Sequence, residues 1–310
     1  MVNGKIEALK VRLSGGVAPA MATPLDGDGY AVNTAVLPAL IDFLMSAGVK
    51  GLFVGGTTGE GILLAARERM RLHEAVVRYV NGRFPVIVHT GHNRLETAVS
   101  LTRHAEEIGA DAIAAVTPYF YGVSEDALAA YYHALAAAAP NTPLLLYDIP
   151  QLAVNGITPT LLRRLSQELP TLAGLKTSRP DVQVVRQLID AAAEHQIVLA
   201  GNESAALGLL ALGADGLISG LSTAVPEPFV ALTHAVSQGN LADGQQCQRV
   251  INKLLACLPA GERIGAIKRI LTERGIPAGT AVPPRPMPHH PIWPTMQPLL
   301  TALPKVEKTT

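Results

Sequence analysis

The chain has 310 residues, 48% of them apolar, and a mean hydropathy of +0.26, which is ample to bury a large core. Lys plus Arg and Asp plus Glu balance at 25 each, with a pI near 7.1, so nothing in the charge draws it to nucleic acid or an anionic membrane. No apolar run is long enough to cross a bilayer, and the start, MVNGKIEALKVRLSGG, lacks the apolar stretch of a secretory signal.

Cys247 and Cys257 fit neither a CxxC nor a zinc spacing, which reads as two buried free thiols in a cytoplasmic protein. The length allows two domains, but single α/β barrels also reach it. Along the chain, eight short apolar runs are bounded by Gly, Pro, Asn or Asp: 17–22, 51–54, 86–89, 112–116, 144–147, 173–176, 197–200 and 216–219. Such runs are strands covered on both faces. Helical spacing lies between them at 34–47, 65–80, 125–139, 160–168, 182–194 and 204–212. The alternation implies a parallel sheet with crossovers of one hand, and closure into a (β/α)8 TIM barrel removes its edges. An open doubly wound sheet would carry a Gly-rich turn after the first strand; here that turn is Ala22-Thr23-Pro24-Leu25.

After Pro226 the alternation stops. Segments 229–238, 242–258 and 264–274 read as helices with no strands between them. Segment 276–298 is too rich in proline to be helical and is expected to lie extended over the surface, with 306–310 frayed. The expected organisation is a catalytic barrel, 1–226, and a C-terminal helical extension with a Pro-rich tail, 227–310.

Barrels hold their active residues at the C-terminal ends of strands, and three segments stand out there. The second strand ends in Gly55-Gly56-Thr57-Thr58-Gly59-Glu60. Glycines bring backbone amides close to a ligand, a following helix start adds donors, and two hydroxyls complete a site for a small carboxylate. A plain strand-to-helix turn, with Glu60 capping its helix, would look the same. The fifth strand ends in Tyr147-Asp148-Ile149-Pro150. Tyrosine can carry one proton, as a carbinolamine requires, but a half-buried core tyrosine is the bland alternative. The sixth ends in Gly174-Leu175-Lys176. Desolvation there favours the free amine, the form that attacks a carbonyl, whereas a lysine reaching out to solvent would do nothing of the kind. His89 and His92 flank the end of the third strand without a carboxylate at ligand spacing, so no metal is expected; His92 could shape the substrate space. His289 and His290 lie in the tail and read as solvent-facing.

The set resembles the dihydrodipicolinate synthase/N-acetylneuraminate lyase superfamily of Schiff-base pyruvate aldolases. The matching motifs are Gly56–Glu60, Tyr147 with Ile149-Pro150, and Gly174-Leu175-Lys176. Thr117-Pro118-Tyr119, Gly201 and 213–219 support them. The resemblance implies an imine on Lys176, proton transfer by Tyr147 with Thr57, and a carboxylate grip by Gly56, Thr57, Thr58 and their amides. Gly201 and the Ile218 carbonyl would line the floor. No cofactor or metal is implied, and homotetramers built as pairs of dimers are usual. Three positions depart from the pattern. Phe120 stands where a tyrosine of a neighbouring subunit often completes the relay, with Tyr119 and Tyr121 as candidate substitutes. Leu152 stands where the synthases place an arginine for the aldehyde's carboxylate. The run Gly201-Asn202-Glu203-Ser204 keeps one acid, Glu203, where sialic acid lyases use an acidic pair. Asp148 replaces the usual asparagine.

The expected function is a lyase joining or splitting pyruvate and an aldehyde, with a 2-keto-3-deoxy sugar acid aldolase the most natural case. A keto-deoxy sugar acid dehydratase and a dihydrodipicolinate synthase-like enzyme use the same lysine. A barrel that binds 2-oxo acids without turnover is the alternative of another class.

Overall fold

The computed structural model describes residues 2–304. Eight parallel strands form the barrel: β1 Val17–Pro19, β2 Leu52–Val54, β3 Val86–His89, β4 Ala112–Val116, β5 Leu144–Asp148, β6 Leu172–Thr177, β7 Ile197–Ala200 and β8 Gly216–Ser219. Each pairs with its sequence neighbour from β2 to β8, and β8 returns to β1 with Ala18 opposite Ile218. Between β1 and β2 the ring closes through one parallel bridge, Ala20 to Phe53. The first strand is shorter than expected. Past Pro19, which has no N–H to give, the chain keeps only that bridge.

The helices are α1 Val2–Leu13, α2 Leu37–Ser46, α3 Ala66–Val80, α4 Leu95–Glu107, α5 Glu125–Ala138, α6 Pro150–Ala153, α7 Pro159–Glu168, α8 Val182–Ala191, α9 Ala206–Ala211, α10 Glu227–Ser237, α11 Leu241–Ala256, α12 Arg263–Glu273 and α13 Trp293–Met296. Local chemistry starts several of them. Ser124 caps α5 at the Ala127 amide, Thr158 caps α7 ahead of Pro159, and Asp181 caps α8 at Gln183 and Val184. Helix α1 has no counterpart in the sequence reading. It shows only Ile6, Leu9 and Leu13 to the core, and these plug the bottom of the barrel beneath Ile87, Ala112, Leu145 and Ala173.

The tail differs from its expectation in two respects. Proline is tolerated in a first helical turn, and Pro294 sits there in α13, after which 297–302 continue as a 3-10 turn. The tail is also not merely draped over the surface. Ile276, Ala278, Ala281, Val282, Ile292 and Met296 are buried in the main core, while Pro283 to Pro286 are exposed. The expected fraying at 306–310 lies outside the described residues. Cys247 is buried and Cys257 partly so, both as free thiols. Among the described residues no helix is long and apolar enough to cross a membrane.

Candidate active site

A cavity of about 530 Å³ opens at the C-terminal ends of the strands. Lys176, Tyr147, Thr57, Thr58, Gly201, Ile218, Glu203 and Leu152 all line it. Gly56 lies under the turn instead, where an added Cβ would run into the Phe53 ring, so it shapes the Thr57-Thr58 turn from behind.

Lys176 is the last-but-one residue of β6 and only 4% exposed. Its Nζ stands 4.2 Å from the centre of the Phe53 ring and 4.1 Å from that of Tyr147. Among the described residues no carboxylate pairs with it. Desolvation pushes its pKa down to about 7, against the more distant pull of Glu203. Near neutral pH a large share of the amine is therefore a free nucleophile. Gly201 keeps room for it, because a Cβ there would stand 3.2 Å from Lys176 Cε and collide with Ser178 Oγ.

Tyr147, in β5 opposite Lys176, shares a 2.9 Å hydrogen bond between its hydroxyl and Thr57 Oγ1. Burial raises its phenol to about 12, with Thr57 and Ser178 pulling the other way, so it holds its proton and can hand it on. Its ring is wedged edge-on between Phe53 and His89, at 5.5 and 5.7 Å. His89 is engaged within the protein: Nδ1 bonds the Gly55 carbonyl at 3.1 Å and Nε2 accepts from the Val116 amide at 3.3 Å. Burial keeps its pKa well below the usual value, so it is a neutral wedge. His92 does not line the cavity; its Nδ1 accepts from the Arg94 amide.

The turn after β2 carries the backbone donors expected of a carboxylate site. Gly55 takes φ +71°, and the Thr57 and Thr58 amides have no backbone partner among the described residues. The helix start is not part of it. A 3-10 turn, Gly61–Leu63, intervenes, and α3 begins only at Ala66. Nor does Glu60 cap that helix. It turns inward at φ +57°, accepts from the Val282 amide at 2.9 Å, and pairs with Lys268 of α12 at 2.7 Å, both side chains fully buried. An isolated acid there would be costly to bury, and the partner arrives from the far end of the sequence.

The departures from the pattern now have physical settings. Asp148 accepts from Thr177 Oγ1 at 2.8 Å and the Ile157 amide at 2.9 Å. Arg179 grips it through Nε at 2.7 Å and Nη2 at 3.1 Å. An asparagine could not hold that guanidinium in a charged fork. Phe120 is 75% exposed at φ +78° and stacks edge-on with Tyr121, itself 72% exposed; neither they nor Tyr119 line the cavity. The Tyr147 hydroxyl reaches Thr57 and not this aromatic group. Leu152 lies at the rim, 63% exposed. Glu203 reaches the cavity with both oxygens engaged. Oε1 accepts from Ser219 Oγ and the Leu221 amide, and Oε2 binds Arg263 of α12. Arg263 and Ser178 are cavity residues that the sequence reading did not find. Ser178 follows directly on Lys176-Thr177 and could have been read as continuing that strand end, whereas nothing local marks Arg263. Among the described residues no group of three or more His, Cys, Asp and Glu is placed to hold a metal.

Comparison with known proteins agrees with this geometry. The profile of the dihydrodipicolinate synthetase family matches residues 13–299. An N-acetylneuraminate lyase of Mediterraneibacter gnavus is 32% identical over 87% of this chain and 86% of its own. A 4-hydroxy-tetrahydrodipicolinate synthase of Bacillus subtilis is 31% identical over 86% of this chain and 91% of its own. Among solved structures, the wild-type sialic acid aldolase of Ruminococcus gnavus superposes with a TM-score of 0.88 at 30% identity, covering 94% of this chain and 98% of that one. A prophage protein of the dihydrodipicolinic acid synthase family from E. coli K12, solved with pyruvate, gives 0.85 at 29% identity, covering 92% and 97%. Enzymes of this family work through a Schiff base on a lysine and need no external cofactor. Matched over nearly its whole length to lyases and synthases alike, with a buried, unpaired lysine closing its sixth strand, the chain belongs to the dihydrodipicolinate synthetase family and is a class I lyase or synthase of that family.

Proposed function

We propose that the protein is a 2-keto-3-deoxy sugar acid aldolase, splitting its substrate reversibly into pyruvate and an aldehyde. The observation that carries this is Lys176: a buried amine with its pKa near 7, facing a cavity that also holds Tyr147 and the Thr57-Thr58 turn. The amine attacks the keto carbon, the carbinolamine loses water, and the resulting iminium draws electrons from the carbon–carbon bond two atoms away. Tyr147 first gives its proton to the carbinolamine hydroxyl as that leaves as water, and the resulting phenolate then takes the proton of the hydroxyl that becomes the aldehyde, with Thr57 behind it. The enamine is protonated to the pyruvate imine, and water releases pyruvate. Thr57 and Thr58, with their amides, hold the carboxylate throughout, above a floor of Gly201 and Ile218. Leu152 supports a sugar acid over aspartate semialdehyde, because an alkyl group cannot replace an arginine's grip on a carboxylate.

The same reading takes residues 1–226 as the catalytic barrel and 227–310 as its extension, in a cytoplasmic homotetramer. Incubation with pyruvate and borohydride, followed by intact mass, should show one reduced adduct on Lys176, absent in Lys176→Ala. An adduct persisting in that variant would refute the assignment. Pyruvate release from a panel of keto-deoxy acids then identifies the aldolase; loss of water without pyruvate would make the enzyme a dehydratase instead.

A further inference from the structure

Arg263 opens α12, in the extension beyond the barrel, yet it stands at the cavity. One edge of its guanidinium is fixed: Nη2 binds Glu203 Oε2. Glu203 is itself immobilised, its other oxygen accepting from Ser219 Oγ at 2.7 Å and the Leu221 amide at 2.8 Å. Arg263 Nε and Nη1 have no protein partner among the described residues, and the side chain is 41% exposed. Neighbouring polar groups are spent locally. Gln151 Nε2 donates to the Ser178 carbonyl, Asn202 Nδ2 to the Arg179 carbonyl, and Ser204 Oγ to Asn202 Oδ1. Arg263 thus brings to this wall two charged nitrogens that no protein group engages among the described residues.

Their position relative to the reacting end follows from Gly220. A Cβ on that residue would stand 2.5 Å from Thr58 Oγ1 and 3.7 Å from Arg263 Nη2, so the threonine turn and the guanidinium face each other across a glycine. Lys176 is buried and the Arg263 side chain 41% exposed, so the guanidinium stands nearer solvent than the amine does. We infer that the Arg263–Glu203 pair reads hydroxyls on the acceptor half of the substrate, with Arg263 the specificity-determining residue and Glu203 the positioning residue behind it. The pair is neutral as a unit. A second carboxylate would lose its water and meet Glu203 as well as the guanidinium, whereas a hydroxyl oxygen accepts a charge-assisted bond with no charge to desolvate. The exposed Leu152 on the same cavity adds no second cation. This inference rests on the aldolase reading above.

The test compares kcat/KM for pyruvate release from a 2-keto-3-deoxy aldonic acid and from its carboxylate-terminated aldaric counterpart. Wild type prefers the aldonic acid. Arg263→Met loses on the order of 10- to 100-fold on it, the worth of a charged hydrogen bond. Arg263→Lys recovers only part, since an ammonium lacks the fork. Glu203→Gln leaves the guanidinium uncompensated and shifts the preference toward the aldaric acid by about 10-fold, a change a merely structural role would not produce. Equal losses on both substrates, or an unchanged ratio in Glu203→Gln, would overturn the inference. Wild-type trapping of pyruvate separates this from the broader reading. If wild type forms no adduct, the aldolase assignment falls first; if it does, and the ratios do not move, only the role of the pair falls.

Discussion

Replacing Lys176 by methionine should make the protein more stable, and more so at low pH. Burial takes the amine from 10.5 to about 7. At about 1.4 kcal/mol per pKa unit, holding it charged in the folded state costs on the order of 5 kcal/mol. The sign follows from which state binds the proton. Between pH 7 and 10.5 the unfolded lysine is protonated and the folded one is not, so stability rises with pH across that window, and the penalty is complete below pH 7. Lys176→Met removes the penalty. Its gain in urea unfolding should be on the order of 5 kcal/mol at pH 6 and shrink to about 1 kcal/mol near pH 10, where little of the proton difference survives. An equal gain at both values, or none, would mean that the amine finds solvent or a counter-ion, and the reasoning for a free nucleophile would fail with it.

The other expectations are as follows. The kcat/KM for pyruvate release should climb about tenfold per pH unit below about 7 and level off above it, since desolvation places the amine's titration there; a flat acid limb would contradict it. Tyr147→Phe should lose about 10²–10⁴ in kcat/KM, the usual worth of a positioned proton carrier, while a loss under tenfold would move the proton to another group. Lys268→Met should destabilise by about 3–5 kcal/mol in denaturant unfolding, because Arg285, 3.9 Å from the fully buried Glu60 and partly exposed, does not replace the close cation, and Glu60→Gln added to it should restore much of the loss.

Strands could be read because a strand covered on both faces is apolar almost throughout; the runs 112–116 and 197–200 carry that signature without interruption, and 86–89 and 216–219 are broken only by a terminal His89 and Ser219. Helix α1 could not. Three buried residues in twelve leave a weak stripe, and what they cover, the barrel floor, exists only once eight strands have closed. Helix α4 lies just before β4 with Ala98, Leu101, Thr102 and Ala105 buried, a small-residue face that gives little contrast. Lys176, Tyr147 and the threonine turn were visible because each is polar at the end of an apolar run. Asp148 was visible without being intelligible, since its partner Arg179 gains meaning only when β5 and β6 lie side by side.

The same reasoning explains why the tail was misjudged. Its prolines predict extended chain, and extended chain suggests a surface strap. What proline forbids, however, is the helical interior, not burial. Segment 276–282 brings Ile276, Ala278, Ala281 and Val282 into the core and lays the Val282 amide on Glu60, the residue that closes the threonine turn. Helix α12 adds Lys268 to that acid and Arg263 to Glu203. Two loops at the C-terminal face of the barrel, after β2 and after β7, are thus each tied by an ion pair to one helix beyond residue 226. Strand alternation stops there because the sheet is complete. The cavity is not complete until the chain has come back to it with Arg263, and acids such as Glu60 and Glu203 persist beyond these strand ends because later chain supplies the opposite charge, from Lys268 and Arg263 of α12 and, for Glu60, from Arg285 of the tail as well.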